Sequence, residues 1–208
     1  MRHDLSTMTA PERGDEPRVD EPPPFRLTRP VALVGLMGAG KTSIGRRLAQ
    51  RLHTPFVDSD AEIEAAANAT IAEIFERDGE PAFRAGERRV IARLLNDGIQ
   101  ILATGGGAFI DPETRARMRE RAVVVWLRAD IDTLLKRVVR KKTRPLLNNG
   151  DPREILEKLM AVRHPIYAEA DLVVESENGS PQATVDVVLE ALTKVPGLTA
   201  PWTGEAQS

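Results

Sequence analysis

Short apolar runs punctuate this chain, separated by longer stretches in which apolar residues return every three or four positions. The runs fall at 31–35, 55–58, 99–103, 123–127 and 172–175. Each is too short for a helix and largely apolar, as a buried parallel strand requires. The stretches between them predict helices at about 42–52, 60–67, 70–78, 81–96, 112–120, 130–140, 152–168 and 182–193. Strands separated by helical segments imply parallel pairing through crossovers. The expected fold is α/β, a three-layer α/β/α sandwich around a five-stranded parallel sheet. Ligands of such sheets bind beyond the carboxyl ends of the strands, so the residues that follow each strand carry the functional argument.

The two ends fall outside this pattern. Residues 1–29 hold five of the fifteen prolines, both signs of charge and few apolar residues, and are expected to be a disordered tail. Residues 196–208 are expected to be a second flexible tail, leaving a folded domain over 30–195. No internal repeat is present.

Composition narrows the class without naming a function. The chain has 208 residues, 41% of them hydrophobic and 29% charged, as in an ordinary soluble domain. Its net charge of −2, from 29 basic and 31 acidic residues, gives no overall attraction to nucleic acid or to an anionic membrane. Cysteine is absent, and His3, His53 and His164 are far apart, which argues against disulfides and a His or Cys metal site. No apolar run approaches a membrane span, and the N-terminus has no signal-peptide core. The expectation is a soluble, cytoplasmic protein.

The first strand is followed by Gly35-Leu36-Met37-Gly38-Ala39-Gly40-Lys41-Thr42, which matches G-x-x-x-x-G-K-[ST]. A loop that wraps phosphates must bring backbone N–H groups close to them, and glycines keep that approach open. In this motif Lys41 sets an ammonium against the β- and γ-phosphates, and Thr42 offers a hydroxyl to Mg²⁺. Strand, glycine loop and helix stand in the order the motif needs. The expected ligand is therefore a nucleoside triphosphate with Mg²⁺.

The second strand ends in Asp58-Ser59-Asp60. Asp58 can support Mg²⁺, directly or through water, and Asp60 can reach a substrate hydroxyl. Either can instead cap the next helix. The third strand ends in Thr104-Gly105-Gly106-Gly107, bare backbone against which a ligand can rest. Between these lies Phe83-Arg84-Ala85-Gly86-Glu87, in which Arg84 and Glu87 share a helix face. They are either a surface pair or a guanidinium poised to clamp a substrate carboxylate. The basic stretch 136–144 runs into Pro145 and Asn148-Asn149-Gly150. It reads as a solvated face, or as a lid over about 141–150 that brings Arg144 onto the transferring phosphoryl group. Arg163 offers one more cation, whereas His164 reads as structural.

Taken in order, these motifs resemble the shikimate kinase family from about residue 31 to 194. The resemblance implies a P-loop fold of the nucleoside-monophosphate-kinase type, with a lid and a substrate-binding helical segment. It implies ATP as co-substrate, Mg²⁺ as cofactor and shikimate as acceptor, phosphorylated at its 3-hydroxyl. Gly38, Ala39, Gly40, Lys41, Thr42 and Ser43 would hold the phosphates, and Arg144 would reach them from the lid. Arg137 would stack on adenine, and Asp58 would support Mg²⁺ through water. Asp60 would bind the acceptor's hydroxyls and orient or deprotonate the attacking one, Arg84 and Arg163 would hold its carboxylate, and Gly105, Gly106 and Gly107 would line its pocket. Glu87 would hold Arg84. Lys41, Asp60 and Arg144 are the expected catalytic set. A monomer with no nucleic-acid or membrane partner is the expected form. A gluconate kinase shares the fold and loop, and a nucleotide switch or nucleic-acid-associated ATPase is the rival outside small-molecule kinases.

Overall fold

The computed structural model describes residues 22–139, 150–176 and 180–203. Arg144 and the expected lid up to residue 149 lie outside these, as do residues 1–21 and 204–208.

Five strands form one parallel sheet in the order β3-β4-β2-β5-β6. They are β2 (Val31–Val34), β3 (Phe56–Asp58), β4 (Ile101–Ala103), β5 (Val123–Arg128) and β6 (Leu172–Glu175). The central β2 is buried at all four positions, and β5 at all but Arg128. That burial explains their unbroken apolar runs, since both faces are covered. The chain leaves β2 for one side of the sheet and crosses to the other side after β4. The carboxyl end of β2 is thus the switch point at which this class of sheet binds ligands.

The helices are α1 (Lys41–Arg51), α2 (Ser59–Ala67), α3 (Ile71–Leu94), α4 (Pro112–Arg121), α5 (Ile131–Val139), α6 (Pro152–Tyr167) and α7 (Pro181–Thr193). The break expected between 78 and 81 is present inside α3. Gly79 stands there at φ 78° and ψ 172°, outside helical space, with Pro81 two residues later. The two halves of α3 and α2 share a small core of Ile63, Ile74 and Phe83, separate from the main one. This satellite core carries the segment that bears Arg84.

Six of these helices start with a side-chain cap. Asp58, Thr70, Asp111, Asp151 and Ser180 accept from first-turn N–H groups of α2, α3, α4, α6 and α7, and Asp130 does so for α5. Such caps satisfy donors that the helix itself cannot. The exception is α1, whose N-cap is Gly40, with no capping side chain and no acidic residue in the first turn. Gly40 sits at φ 95°, a conformation that side-chain-bearing residues rarely adopt. The positive end of α1 is left open to an external anion.

Both expected chain-end boundaries need correction. β1 (Arg26–Leu27) pairs antiparallel with β7 (Thr199–Ala200), and Phe25, Leu27 and Leu198 join the main core. Thr28 Oγ1 donates to the Gly197 carbonyl at 2.6 Å. Residues 22–29 and 196–203 therefore belong to the fold. Two-residue strands carry no periodicity to read, and the neighbouring prolines mask them.

Candidate active site

The site grows from the ends of β2, β3 and β4. In the loop after β2, Lys41 Nζ donates to the carbonyls of Gly35 (2.7 Å) and Leu36 (3.0 Å), so the ammonium lies over the loop. Thr42 Oγ1 donates to Asp58 Oδ2 at 2.9 Å, while Asp58 Oδ1 accepts from Asp60 N at 3.1 Å. Asp58 thus both caps α2 and faces the Thr42 hydroxyl. A hydroxyl and a carboxylate oxygen side by side are hard donors of the kind Mg²⁺ takes, together with phosphate oxygens and water. The pair fits that ion. Ser43 Oγ accepts from Arg47 at 2.8 Å, so its side chain is engaged along α1.

The outer side of the loop is held by Arg137 and Ser176. Arg137 Nη1 donates to the Gly38 carbonyl (3.2 Å) and to Ser176 Oγ (2.9 Å). Ser176, buried at the end of β6, donates to the Ala39 carbonyl at 2.8 Å. These bonds hold two loop carbonyls away from the cradle.

Asp60 lies half-buried beside the glycine turn. A methyl group on Gly105 would stand 2.6 Å from Asp60 Oδ1 and 3.2 Å from Glu87 Oε1. Burial, with Asp58 adding repulsion, pushes the Asp60 carboxyl up to about 6 against some opposition from Lys41. A methyl on Gly107 would stand 2.6 Å from Arg84 Nη1, and one on Gly106 would lie 3.6 Å from Arg163 Nη1, Gly35 O and Met37 N. The glycine turn is therefore a seam, touching the acid, both arginines and the phosphate loop. Any side chain there would fill the space between them.

Arg84 donates from Nη1 to Glu87 Oε2 at 2.7 Å, and from Nε and Nη2 to Glu80 Oε1 at 3.3 and 3.2 Å. Glu87 is 2% exposed and Glu80 64% exposed, so the two pairs differ in kind. Burial raises the Glu87 carboxyl, opposed by its bond to Arg84. Arg163 Nη1 donates to the Gly106 carbonyl at 3.0 Å. A cleft of about 260 Å³ is lined by Glu80, Arg84, Gly107, Ile110, Asp111 and Arg163. At about 30 Å³ per water it holds some nine waters' worth of space, enough for one small organic acid.

The structure thus gathers the expected Lys41, Thr42, Asp58, Asp60, Arg84, Arg163 and the three glycines at one end of the sheet. Arg137 lies at the outer side of the phosphate loop, away from the cleft. Four residues of the neighbourhood escaped the sequence reading: Glu80, Ser59, Ser176 and Tyr167. Ser59 Oγ accepts from Gly105 N at 3.1 Å, and Tyr167 donates to the Gly106 carbonyl. A lone hydroxyl has no spacing signature. Glu80, four residues before Arg84, did carry one in the i,i+4 rule. Among the described residues no cluster of three or more His, Cys, Asp or Glu is placed to hold a metal, and no helix is long and apolar enough to cross a membrane.

Known proteins resemble this chain in sequence and in fold. The sequence pattern of the shikimate kinase family matches residues 37–193. A shikimate kinase of Paramagnetospirillum magneticum is 59% identical over 80% of this chain and 86% of its own length. One of Novosphingobium aromaticivorans is 50% identical over 92% of this chain and 98% of its own. Among solved structures, shikimate kinase from Acinetobacter baumannii in complex with shikimate superimposes with a TM-score of 0.76 at 39% identity, covering 79% of this chain and 93% of that one. With the family pattern over most of its length and relatives this similar, the chain belongs to the shikimate kinase family.

Proposed function

We propose that this protein transfers the γ-phosphoryl group of ATP to the 3-hydroxyl of shikimate, giving shikimate 3-phosphate and ADP. The observation that carries this reading is the glycine turn at 105–107, which borders Asp60, Arg84, Arg163 and the phosphate loop at once. A phosphoryl donor and a small carboxylic acid would there meet across a few ångströms.

In the reaction the acceptor oxygen bonds to the γ-phosphorus as the bond from phosphorus to the β,γ-bridging oxygen breaks. ADP leaves with that oxygen, and the hydroxyl proton passes to Asp60. Phosphoryl transfer has a loose transition state with charge spread over the equatorial oxygens, so the protein chiefly positions and neutralises. Lys41 and the open end of α1 supply positive charge. Arg84 and Arg163 hold the acceptor carboxylate, which aims the ring hydroxyl at the donor. Thr42 and Asp58, the latter through water, would hold Mg²⁺, which when bound neutralises charge on the β- and γ-phosphates. Arg137 would flank the adenine while retaining its bonds to the loop. Arg144 would close onto the phosphates, a role that rests on the family pattern. We further infer a cytoplasmic monomer with small-molecule partners alone.

The first test is ADP release with MgATP and, in turn, shikimate, gluconate, a nucleoside monophosphate or no acceptor. Turnover with shikimate alone is expected. Turnover with another acceptor would overturn the assignment of the cleft, and ADP release indifferent to any acceptor would point to a nucleotide switch. In the same assay Arg144→Ala should lower kcat by a factor of order 10³, as loss of an arginine finger does. An unchanged kcat would remove Arg144 from the mechanism.

A further inference from the structure

We propose that Tyr167 is a positioning residue for the acceptor, its phenol fixing the Gly106–Gly107 peptide and Arg163 together so that both face the cleft. The inference rests on the proposed reading of the cleft as the shikimate site and names a residue the mechanism above does not use.

Arg163 and Tyr167 stand four apart on the last turns of α6, on one face of the helix. Both reach the same atom. Tyr167 Oη donates to the Gly106 carbonyl, and Arg163 Nη1 donates to it at 3.0 Å. Guanidinium and phenol thus share one carbonyl, whose two lone pairs are both used. The Gly106–Gly107 peptide is trans, so fixing its carbonyl toward α6 turns the Gly107 N–H the opposite way. Gly107 lines the cleft, and Arg84 packs against it. One hydroxyl therefore sets the attitude of a backbone donor and of the carbonyl on which Arg163 rests.

The phenol is well placed to be rigid. Tyr167 is 1% exposed, and its ring packs against Trp126 of β5 with centroids 5.8 Å apart. Burial pushes its ionisation up to about 12, so it remains a neutral donor through the working pH range. Nothing in the fold requires a hydroxyl at this depth. A phenylalanine would fill the same space and keep the contact with Trp126. The hydroxyl's identifiable work is on the Gly106 carbonyl, which Arg163 shares.

The test is Tyr167→Phe, which removes one oxygen and leaves the packing. Loss of a buried hydrogen bond shared with a charged group predicts a KM for shikimate raised about tenfold. The KM for ATP should stay within about twofold, and kcat should change less than the shikimate KM does. Shikimate titrated calorimetrically into the ATP-free enzyme should show the same loss of affinity. Equal shikimate affinity in wild type and variant would overturn the inference. So would parallel rises in both KM values with a lowered melting temperature, which is what a merely structural tyrosine gives. Failure of the underlying reading looks different, because the wild-type protein itself would then neither bind shikimate nor turn it over.

Discussion

Asp60→Asn is expected to lower kcat by roughly 10²–10⁴-fold, the usual contribution of a positioned general base. The substitution keeps the shape and a hydrogen-bonding oxygen but removes the proton acceptor. The pH profile gives an independent reading. With Asp60 pushed up to about 6, the base is ionised at pH 7 and protonated in mild acid. The kcat/KM for shikimate should fall about tenfold per pH unit below about 6, and the Asn variant should lack that limb. A wild-type profile flat down to pH 5 would remove Asp60 as the base.

The same carboxyl makes an opposite prediction for stability. Its folded-state value of about 6 lies above the ordinary 3.8, so the native state binds the proton more tightly than the unfolded chain does. The stability that this proton confers is complete below the unfolded value and is lost as pH rises through about 6. At pH 7 the ionised group therefore costs roughly 2–3 kcal/mol, taking 1.36 kcal/mol per pKa unit. Asp60→Asn should melt at a higher temperature than wild type at pH 7, and the difference should shrink toward pH 4. Thermal melts at the two pH values check this. A variant less stable than wild type at pH 7 would contradict the burial argument. The fold thus disfavours the ionised acid, as the proposed role of Asp60 as the base would require.

What the amino-acid sequence reveals about this site is set by the range of the interactions involved. The phosphate loop is legible because all its parts are within eight residues, each glycine answering a local backbone demand. The break in α3 is legible for the same reason, since Gly79 and Pro81 act on their own backbone. The roles of Asp58 and Arg84 are only half legible, because sequence poses them as alternatives. Asp58 can cap a helix or face the phosphate-loop hydroxyl of Thr42, and the fold has it do both, with one carboxylate oxygen each. Arg84 is likewise both paired with Glu87 and part of the cleft wall. Tyr167 and Ser176 are illegible. Their partners Gly106 and Ala39 lie 61 and 137 residues away, and only the sheet order brings them together. The pairing of β1 with β7 joins the two ends of the chain and is hidden for that reason too.

Arg84→Ala should have the second large effect, and it needs a companion to be interpreted. Glu87 is 2% exposed, and Arg84 is its ion-pair partner at 2.7 Å. Removing the guanidinium leaves a carboxylate stranded in the interior, which costs on the order of 3 kcal/mol unless it takes up a proton. Burial already raises the Glu87 carboxyl, so protonation would relieve part of that cost and the loss should be smaller at pH 5 than at pH 8. Superimposed on this is the loss of a clamp for the acceptor carboxylate, expected to raise the KM for shikimate by about 100-fold while leaving that for ATP within a few-fold. The double variant Arg84→Ala with Glu87→Leu separates the two effects. It has no buried charge to strand, so most of the melting temperature should return, but it has no clamp, so the shikimate KM should stay high. Recovery of both together would mean that Arg84 serves the fold alone. An equal rise in both KM values in the single variant would mean that the two substrates do not divide the cleft and the phosphate loop between them.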